Sequence, residues 1–598
     1  MAGHGSRPHS AGRWWLPAWC ALLAVMVMLP LVRPGFVLSY DMVTVPDQGL
    51  TRESLGLGSA LPRSVPQDAV LAVLTTVLPG AVVYRVILVL VVFAAALGAG
   101  RMLPGPAAVQ VVAASAYAWN AYVAERLVIG HWTLLVAYAV LPWLFRATLS
   151  LRTGRRKSLP AALLLVAAAS ITPTGGVLAS AVLVLTVLVP HAGDSPVRWR
   201  LQQAAAVGGC LLLQLPWVMP AVLTPTRLTS DPAAVELFAA HADSPLGLVG
   251  SVLTLGGIWN SDAVPDSRAL ASAAVVTIAW VSLALAGAGR VARVLGRTAA
   301  LVLAALATAG LVLGLAGSIG PVLTAAVELV PGAGLLRDGQ KFLAWYALAL
   351  APAVALGASR LASWVAHRAR DRIPATAVLV IAAVLPLAAM PDLAWGVGGR
   401  LNPVEYPRSW QEVRTTLRAE PDSGALVVVP YQPFRSFPWN DRRTTLDPLP
   451  RYAGVEVVRP DTLTVGSTRL AGEDPRAAAV AVALESDDPV RGLLHAGVGW
   501  VAVEHGTPGV VPDGLIDDLV EVVTSAELDL YRVPGDPLPW TATAPAGPVL
   551  VADLAAVTFV FGCLCWVVLV RRRTKAGRIV AGTVPHDLNI RGRRSARR

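Results

Sequence analysis

Long apolar runs separated by short polar turns fill this chain as far as residue 391, and one more follows at 548–570. A spanning helix needs about 20 apolar residues, and short or tilted ones manage with about 17. On that scale about twelve spans are predicted, near 14–32, 82–99, 106–122, 132–150, 159–172, 176–191, 204–223, 270–288, 299–318, 342–359, 374–391 and 548–570. The pair at 159–191 is short in both halves. Proline and paired glycines in Ile171-Thr172-Pro173-Thr174-Gly175-Gly176 favour a tight turn there over one overlong helix. Val70 to Leu78 is apolar but too short to cross, which suits a helix lying along the interface.

The stretch 392–547 breaks this pattern. It carries 22 Asp/Glu against 13 Arg and no Lys, a net of −9, and is long enough for a separate domain. Apolar, β-rich runs at 425–429, 498–503 and 528–533 read as strands, and helical patterns at 408–419, 476–485 and 514–524 alternate with them. The expected fold class is an α-helical polytopic membrane protein of about 12 transmembrane helices with a small extracytoplasmic α/β domain. The expected organisation is a cytoplasmic N-terminus at 1–13, a transmembrane part of about eleven helices at 14–391, the α/β domain at 392–547, a last span at 548–570 and a basic cytoplasmic tail at 571–598.

Composition agrees with a membrane setting: of 598 residues 55% are hydrophobic and only 15% charged, where a soluble globule has about a quarter. The mean hydropathy is +0.60. Orientation follows from the basic loops, which resist translocation. Arg7 and Arg13 precede the first span, and Arg152, Arg155, Arg156 and Lys157 follow the fourth. Arg198 and Arg200 follow the sixth, Arg290, Arg293 and Arg297 the eighth, Arg360, Arg368, Arg370 and Arg372 the tenth, and Arg571 to Arg573 the last. With an even count all of these share one side, so both termini are expected in the cytoplasm of a bacterial inner membrane and 392–547 outside. The net charge of +11 is mostly the tail, where ten Arg/Lys stand against Asp587. With no aromatics interleaved, the tail suits anionic lipid headgroups rather than nucleic acid. Cys20, Cys210, Cys563 and Cys565 all lie in apolar stretches and read as small buried hydrophobes.

No phosphate-cradling glycine loop, nucleophile elbow or metal-ligand spacing is present. Ionisable groups at the ends of spans are costly unless they line a wet cavity, so they become the candidates. Four clusters fall on the outer side. The first loop carries Asp41 and Asp47, then Glu53 and Asp68. The third-to-fourth turn reads Asn120-Ala121-Tyr122-Val123-Ala124-Glu125-Arg126 and then Gly130-His131-Trp132. Leu335-Leu336-Arg337-Asp338-Gly339-Gln340-Lys341-Phe342 enters the tenth span. The long loop from Thr224 to Arg268 holds Asp231, Glu236, His241, Asp243, Asp262 and Asp266.

These residues resemble bacterial membrane glycosyltransferases of the GT-C fold, with a likeness to YfhO-type and actinobacterial cell-wall arabinosyl- or mannosyltransferase-like proteins over about 14–391. The resemblance implies transfer of a sugar from a polyprenyl-phosphate donor to a cell-envelope glycan acceptor. By the same likeness Asp41 matches the acid after the first helix, with Asp47 in reserve. Such chemistry needs a carboxylate to take the acceptor proton and cations to hold the leaving phosphate. Arg126, Arg337 and Lys341 suit the second task, and Glu125, His131 and Asp338 complete the expected binding set. Asp41 and Asp47 stand six apart rather than as a D-x-D pair, so no metal or other cofactor is indicated.

Plainer readings stand beside these: a solvated loop acid at Asp41, helix-end packing for Glu125 and Arg126, flanking charges at 337–341, an interfacial belt residue at His131, and a snorkelling Arg85. Two other function classes also fit. One is a flippase for a lipid-linked glycan, although Gln110 and Gln214 are among few mid-span polar groups. The other is a non-catalytic scaffold in which Tyr431, Phe434, Phe437, Trp439 and Tyr452 stack on glycan.

Overall fold

The computed structural model describes residues 14–152, 158–190, 196–224, 231–465 and 468–581. The predicted N-terminal segment 1–13, the basic loop residues Arg155, Arg156 and Lys157, and the tail beyond 581 lie outside the described residues.

Each of the twelve predicted spans falls on helix, but the helices differ in length. Among the described residues eight are long and apolar enough to cross: Trp15–Val32, Gly80–Met102, Trp132–Leu151, Val197–Leu223, Ala271–Leu295, Arg297–Ala316, Gly339–Ala369 and Ala546–Val570. A ninth candidate is Ile373–Ala389 with Pro391–Gly398, bent by 70°. The remaining three are Ala107–Ala118, Ser158–Ala169 and Pro173–Leu188. At 1.5 Å per residue these reach only part of the way through a core about 30 Å thick. Ala107–Ala118 stops because Asn120 turns extended and caps a new helix, Ala121–Val128, with its side chain accepting from the Val123 amide at 3.1 Å. Its end is enclosed by Gly80–Met102, Leu343–Ala369 and Ile373–Ala389, where protein rather than lipid surrounds the broken backbone. The expected turn at 171–176 is a shorter break. Pro173 opens the second helix, where a missing N–H is harmless, and Gly175 and Gly176 lie in its first turn.

At the centre of the bundle lies Leu343–Ala369, packed against Ala271–Leu295, Arg297–Ala316, Ala107–Ala118 and Ile373–Ala389. A Cβ on Gly287 would collide with the Ala353 carbonyl, and one on Gly357 with the Leu283 carbonyl. Glycine at both points lets the two backbones touch, the usual route to close helix association without a water-driven term. Arg85 does not simply snorkel: its guanidinium donates to the Arg33 carbonyl at 2.9 Å and the Gly35 carbonyl at 3.1 Å. Gln214 bonds Ser170 at 3.0 Å and Ser180 at 3.3 Å on neighbouring helices, while Gln110 donates to the Leu103 carbonyl at 2.9 Å. Cys20, Cys210 and Cys563 are buried and Cys565 is exposed.

The sheet of the C-terminal unit runs in the order Ala425–Val429, Val498–Glu504, Leu528–Arg532, Val520–Val523. The first pair is parallel and the other two are antiparallel. Its two central strands are buried, with Trp500, Ala502, Leu528 and Leu530 facing one core and Val501, Val503 and Tyr531 the other. Helices Arg408–Ala419 and Pro475–Leu484 form as expected. The expected helix at 514–524 does not. Pro512, Gly514 and the adjacent Asp517 and Asp518 hold the chain in turns, and Val520, Glu521 and Val523 pair as an edge strand with 528–532. A partner strand within hairpin reach outweighs the weak helical pattern of that stretch.

This unit is not separate from the first loop. Leu38–Ser39 and Met42–Val43 form a short antiparallel hairpin, linked to the unit by bridges from Phe36 to Val404 and from Tyr40 to Thr445. Leu38, Val43 and Val45 enter the same core as Trp410 and Phe437. Ion pairs fasten the rest of the loop: Asp47 to Arg414 and Arg418, Glu53 to Arg459, Arg63 to Glu473 at 2.7 Å, and Asp68 to Arg451 at 3.5 Å. The interfacial segment is the helix Gln67–Val77, with Asp68, Leu71, Ala72 and Thr75 inward and Val73, Leu74 and Val77 exposed. Three of the aromatics pictured as a sugar-stacking face are spent on packing. Phe437 and Tyr452 are buried, and Phe437, Trp439 and Tyr452 interlock with Tyr406 and Trp410 at ring distances of 4.5–5.6 Å.

Candidate active site

Asp41 stands at the tip of the first-loop hairpin, wedged between the α/β unit and the turn after Ala121–Val128. The Asp41 amide donates to the Ile129 carbonyl at 3.1 Å, and Ser39 Oγ to the Val128 carbonyl at 2.7 Å. This docking needs glycine at 130. Its φ is +86°, and a Cβ there would strike the Met42 amide.

His131 follows, and its ring joins two elements. Nδ1 lies 2.9 Å from an Arg126 guanidinium nitrogen and Nε2 lies 3.1 Å from Asp41 Oδ2. A guanidinium can only donate, so Nδ1 accepts, Nε2 carries the proton, and that proton points at Asp41. Arg126 is itself gripped in two-pronged fashion by Asp338, at 2.8 and 3.0 Å, and also donates to Gln340 Oε1. Lys341 Nζ sits 3.5 Å from Asp338 Oδ2, and the Lys341 carbonyl accepts from the Tyr122 hydroxyl at 2.8 Å. Residues from positions 41, 126, 131, 338 and 341 thus form one connected chain.

Burial sorts these residues by what they can touch. The side chains of Arg126 and Asp338 are 0% and 5% exposed, whereas His131 is 18%, Lys341 25% and Asp41 44% exposed. Burial alone would raise the Asp41 carboxyl, but the His131 hydrogen bond and the charges of His131, Lys341 and Arg451 outweigh it and hold the group below its usual range. Burial, helped by Lys341 and Arg126, holds His131 below its ordinary value against the pull of Asp41. At neutral pH the pair is therefore a carboxylate and a neutral imidazole. Asp338 is buried too, yet the cations Arg126 and Lys341 keep it well below the carboxylate range.

Several expected site residues are placed otherwise. Glu125 is fully buried, which removes it from direct contact with a substrate. It accepts from Gln340 Nε2 at 3.0 Å, and burial together with Asp243 pushes its carboxyl well above the usual range, so it is a neutral acid. Asp243 stays ionised despite burial because Arg268 lies 2.7 Å away. Arg126 and Asp338 are likewise enclosed and act on each other rather than on a phosphate. The Arg337 guanidinium stacks over Phe238 at 5.1 Å. Asp47 is not brought to His131 or Lys341; its partners are Arg414 and Arg418. Gln340, Asp243, Arg268 and Arg451 carry parts of the network that sequence reasoning did not assign. Gln340 lay inside the 335–342 motif, and Asp243 and Arg268 in the long outer loop, but no spacing joined them. Among the described residues no group of three or more His, Cys, Asp or Glu stands where it could hold a metal ion.

Neither a protein-family model nor a curated protein matches this chain. Among solved structures it is similar to the cryo-EM structure of the arabinofuranosyltransferase AftD from Mycobacteria, with a TM-score of 0.55 and 18% identity over 88% of this chain and 40% of that one. A mutant form of AftD gives 0.53 and 16%, over 89% and 42%. The crystal structure of apo ArnT from Cupriavidus metallidurans gives 0.38 and 15%, over 88% and 98%. The chain therefore spans about two fifths of the length of AftD. The AftD likeness shows the fold: this is a multi-pass membrane protein with the GT-C glycosyltransferase architecture and a small sheet-containing C-terminal unit.

Proposed function

We propose that this protein transfers a sugar from a polyprenyl-phosphate donor to a cell-envelope glycan or lipid at the outer face of a bacterial inner membrane. Both termini then lie in the cytoplasm and 392–547 outside. The observation that carries the reading is the contact of Asp41 with His131 at 3.1 Å, beside Lys341, where bundle and α/β unit meet. A lipid-phosphate donor keeps its tail among the helices, so its sugar reaches this level and no deeper.

In this reading the acceptor hydroxyl loses its proton to Asp41 as its oxygen attacks the anomeric carbon. The bond from that carbon to the phosphate oxygen breaks, and polyprenyl phosphate leaves with the electron pair. A resting carboxyl held this low is a weak base, but an acceptor that displaces water strengthens the burial effect, which favours the protonated form. His131 Nε2–H keeps Asp41 oriented, while Lys341 supplies the exposed cation for the leaving phosphate. Arg126, Asp338 and Gln340 hold that pair from behind.

The test is transfer of radiolabelled sugar from a synthetic polyprenyl-phosphate donor by the purified full-length protein. Asp41→Asn is expected to lower turnover about 10²–10⁴-fold, the usual value of a general base. Turnover equal to the parent would reject the role, and lipid flipping without any acceptor would favour the flippase class.

A further inference from the structure

We infer that Tyr40 is a positioning residue of the candidate active site: its left-handed backbone and its hydrogen bond to Asp262 together aim the Asp41 carboxylate at His131. The consequence for turnover rests on the transfer reading above, whereas the consequence for the surroundings of His131 does not.

The first-loop hairpin reverses within two residues, Tyr40 and Asp41, because Ser39 pairs with Met42. Tyr40 takes a positive φ, +45°, and Asp41 does not. A two-residue turn with that sign at its first corner is normally given to glycine, since an L side chain there is strained against the backbone. Such strain persists where the surroundings over-determine the residue, and it gathers at functional sites.

Three hydrogen bonds hold Tyr40. Its amide donates to the Thr444 carbonyl at 2.8 Å, and its carbonyl accepts from the Leu446 amide at 2.8 Å. Its hydroxyl donates to Asp262 Oδ2 at 3.1 Å, and its ring meets Phe434 edge-on at 6.4 Å. Glycine would keep both backbone bonds without the strain. What the tyrosine adds is therefore the side chain and its reach to Asp262.

Asp262 is a fixed anchor. Asn260 Oδ1 accepts from the Asp262 amide at 3.0 Å, and Arg400 donates to the Asp262 carbonyl at 2.6 Å. Five residues on, the Ser267 hydroxyl and amide donate to Asp392 at 2.6 and 2.8 Å. The next residue, Arg268, pairs with Asp243, whose charge acts on Glu125. One loop thus meets the polar network from behind through Asp243 and in front through Tyr40.

The corner also sets direction. Tyr40 bonds to 444–446 of the α/β unit through both backbone groups, while the following amide, that of Asp41, donates to the Ile129 carbonyl of the bundle. The chain changes partner between consecutive residues, and the Asp41 side chain is left on the bundle side, 3.1 Å from His131 Nε2. Without the hydroxyl contact the strained corner is free to relax, and Asp41 turns away from the ring.

The experiment labels the full-length protein in nanodiscs at pH 7 with diethyl pyrocarbonate, which acylates an unprotonated imidazole nitrogen, and follows the His131 peptide by mass spectrometry. In the parent both ring nitrogens are engaged, by Arg126 and by Asp41, so labelling is slow. Tyr40→Phe and Asp262→Ala are each expected to speed it about threefold to tenfold, the worth of one net hydrogen bond. The double variant should show no further gain, because the two residues act through one contact. Asp262→Asn, whose amide oxygen still accepts, should restore slow labelling. His505 in the α/β unit should label at the parent rate throughout, which a misfolded variant would not show. In the transfer assay kcat should fall about threefold to tenfold in Tyr40→Phe while KM for the donor stays within about twofold. Parent-like labelling of His131 in both single variants overturns the inference, and so does a double variant whose two effects multiply. The two readings fail separately: faster labelling in a protein that transfers no sugar removes the transfer reading and leaves the role of Tyr40 standing.

Discussion

The guanidinium of Arg126, 2.9 Å from His131 Nδ1, decides which ring nitrogen of that histidine faces Asp41. A positioning residue with no exposure thus sets the proton arrangement at an exposed one. Removing the hydrogen bond should act on catalysis without removing either member of the Asp41–His131 pair.

His131→Gln retains a donor near Asp41 but cannot be aligned by Arg126 in the same way. Turnover in the transfer assay is expected to fall about tenfold to a hundredfold, less than for Asp41→Asn.

Arg126→Met leaves the buried Asp338 charge with Lys341 alone, at 3.5 Å and without the two-pronged guanidinium contact. Such a change costs about 3–5 kcal/mol, whereas replacing both partners by apolar groups is often neutral. Denaturation of the detergent-solubilised protein should therefore show Arg126→Met with Asp338→Leu more stable than Arg126→Met alone.

Asp47→Asn separates the two loop acids that look alike in the sequence. The Asp47 side chain is 42% exposed and pairs with Arg414 and Arg418, so its loss is expected to cost about 1 kcal/mol or less. Transfer activity should remain within about twofold of the parent, in contrast to Asp41→Asn.

Acid should weaken the fold through His131. Its folded-state pKa is depressed, so the unfolded chain takes up the proton first. Stability is retained above about 6.5, the ordinary histidine value, and is lost as pH falls from there through the folded value. Asp41, also depressed, adds a second loss below about 3.9. Thermal melts between pH 7 and pH 5 should flatten in His131→Gln.

Glu504 has the opposite sign. Burial, with Asp447 beside it, pushes its carboxyl well above the usual range, while Arg435 holds the group in place. Its contribution is full below about 4.3 and is lost as pH rises through the folded value. Glu504→Gln, which cannot ionise, should therefore gain stability relative to the parent as pH is raised, read from melting curves of the two proteins.

The spans were legible because an apolar run of helical length has few alternatives in a chain this poor in charge. Their limits were not: Asn120 ends one helix and caps another within a stretch that reads as continuous. Asp41, His131 and Lys341 could be singled out because ionisable groups at span ends are expensive. Asp41 and Asp47 could not be ranked, since what separates them is Arg414 and Arg418, far along the chain. Glu125 and Arg126 read equally as binding groups or as helix-end packing, and only the packing of Asp338, Gln340 and Asp243 around them shows that they are enclosed. At 514–524 the valines suit helix or strand equally, and the presence of 528–532 as a partner settles it. Arg451 was invisible as a site residue among the many charges of an acidic segment.

The bridge between Tyr40 and Thr445 also bears on how the protein matures. Synthesis runs from the N-terminus, and early segments leave the ribosome well before late ones exist. Asp41 can therefore meet Ile129 and His131 early, whereas the strand beside Tyr40 arrives only after nearly every helix has been made. A chain stalled midway through biogenesis consequently holds the contact between Asp41 and His131 without the wall that Thr445 supplies.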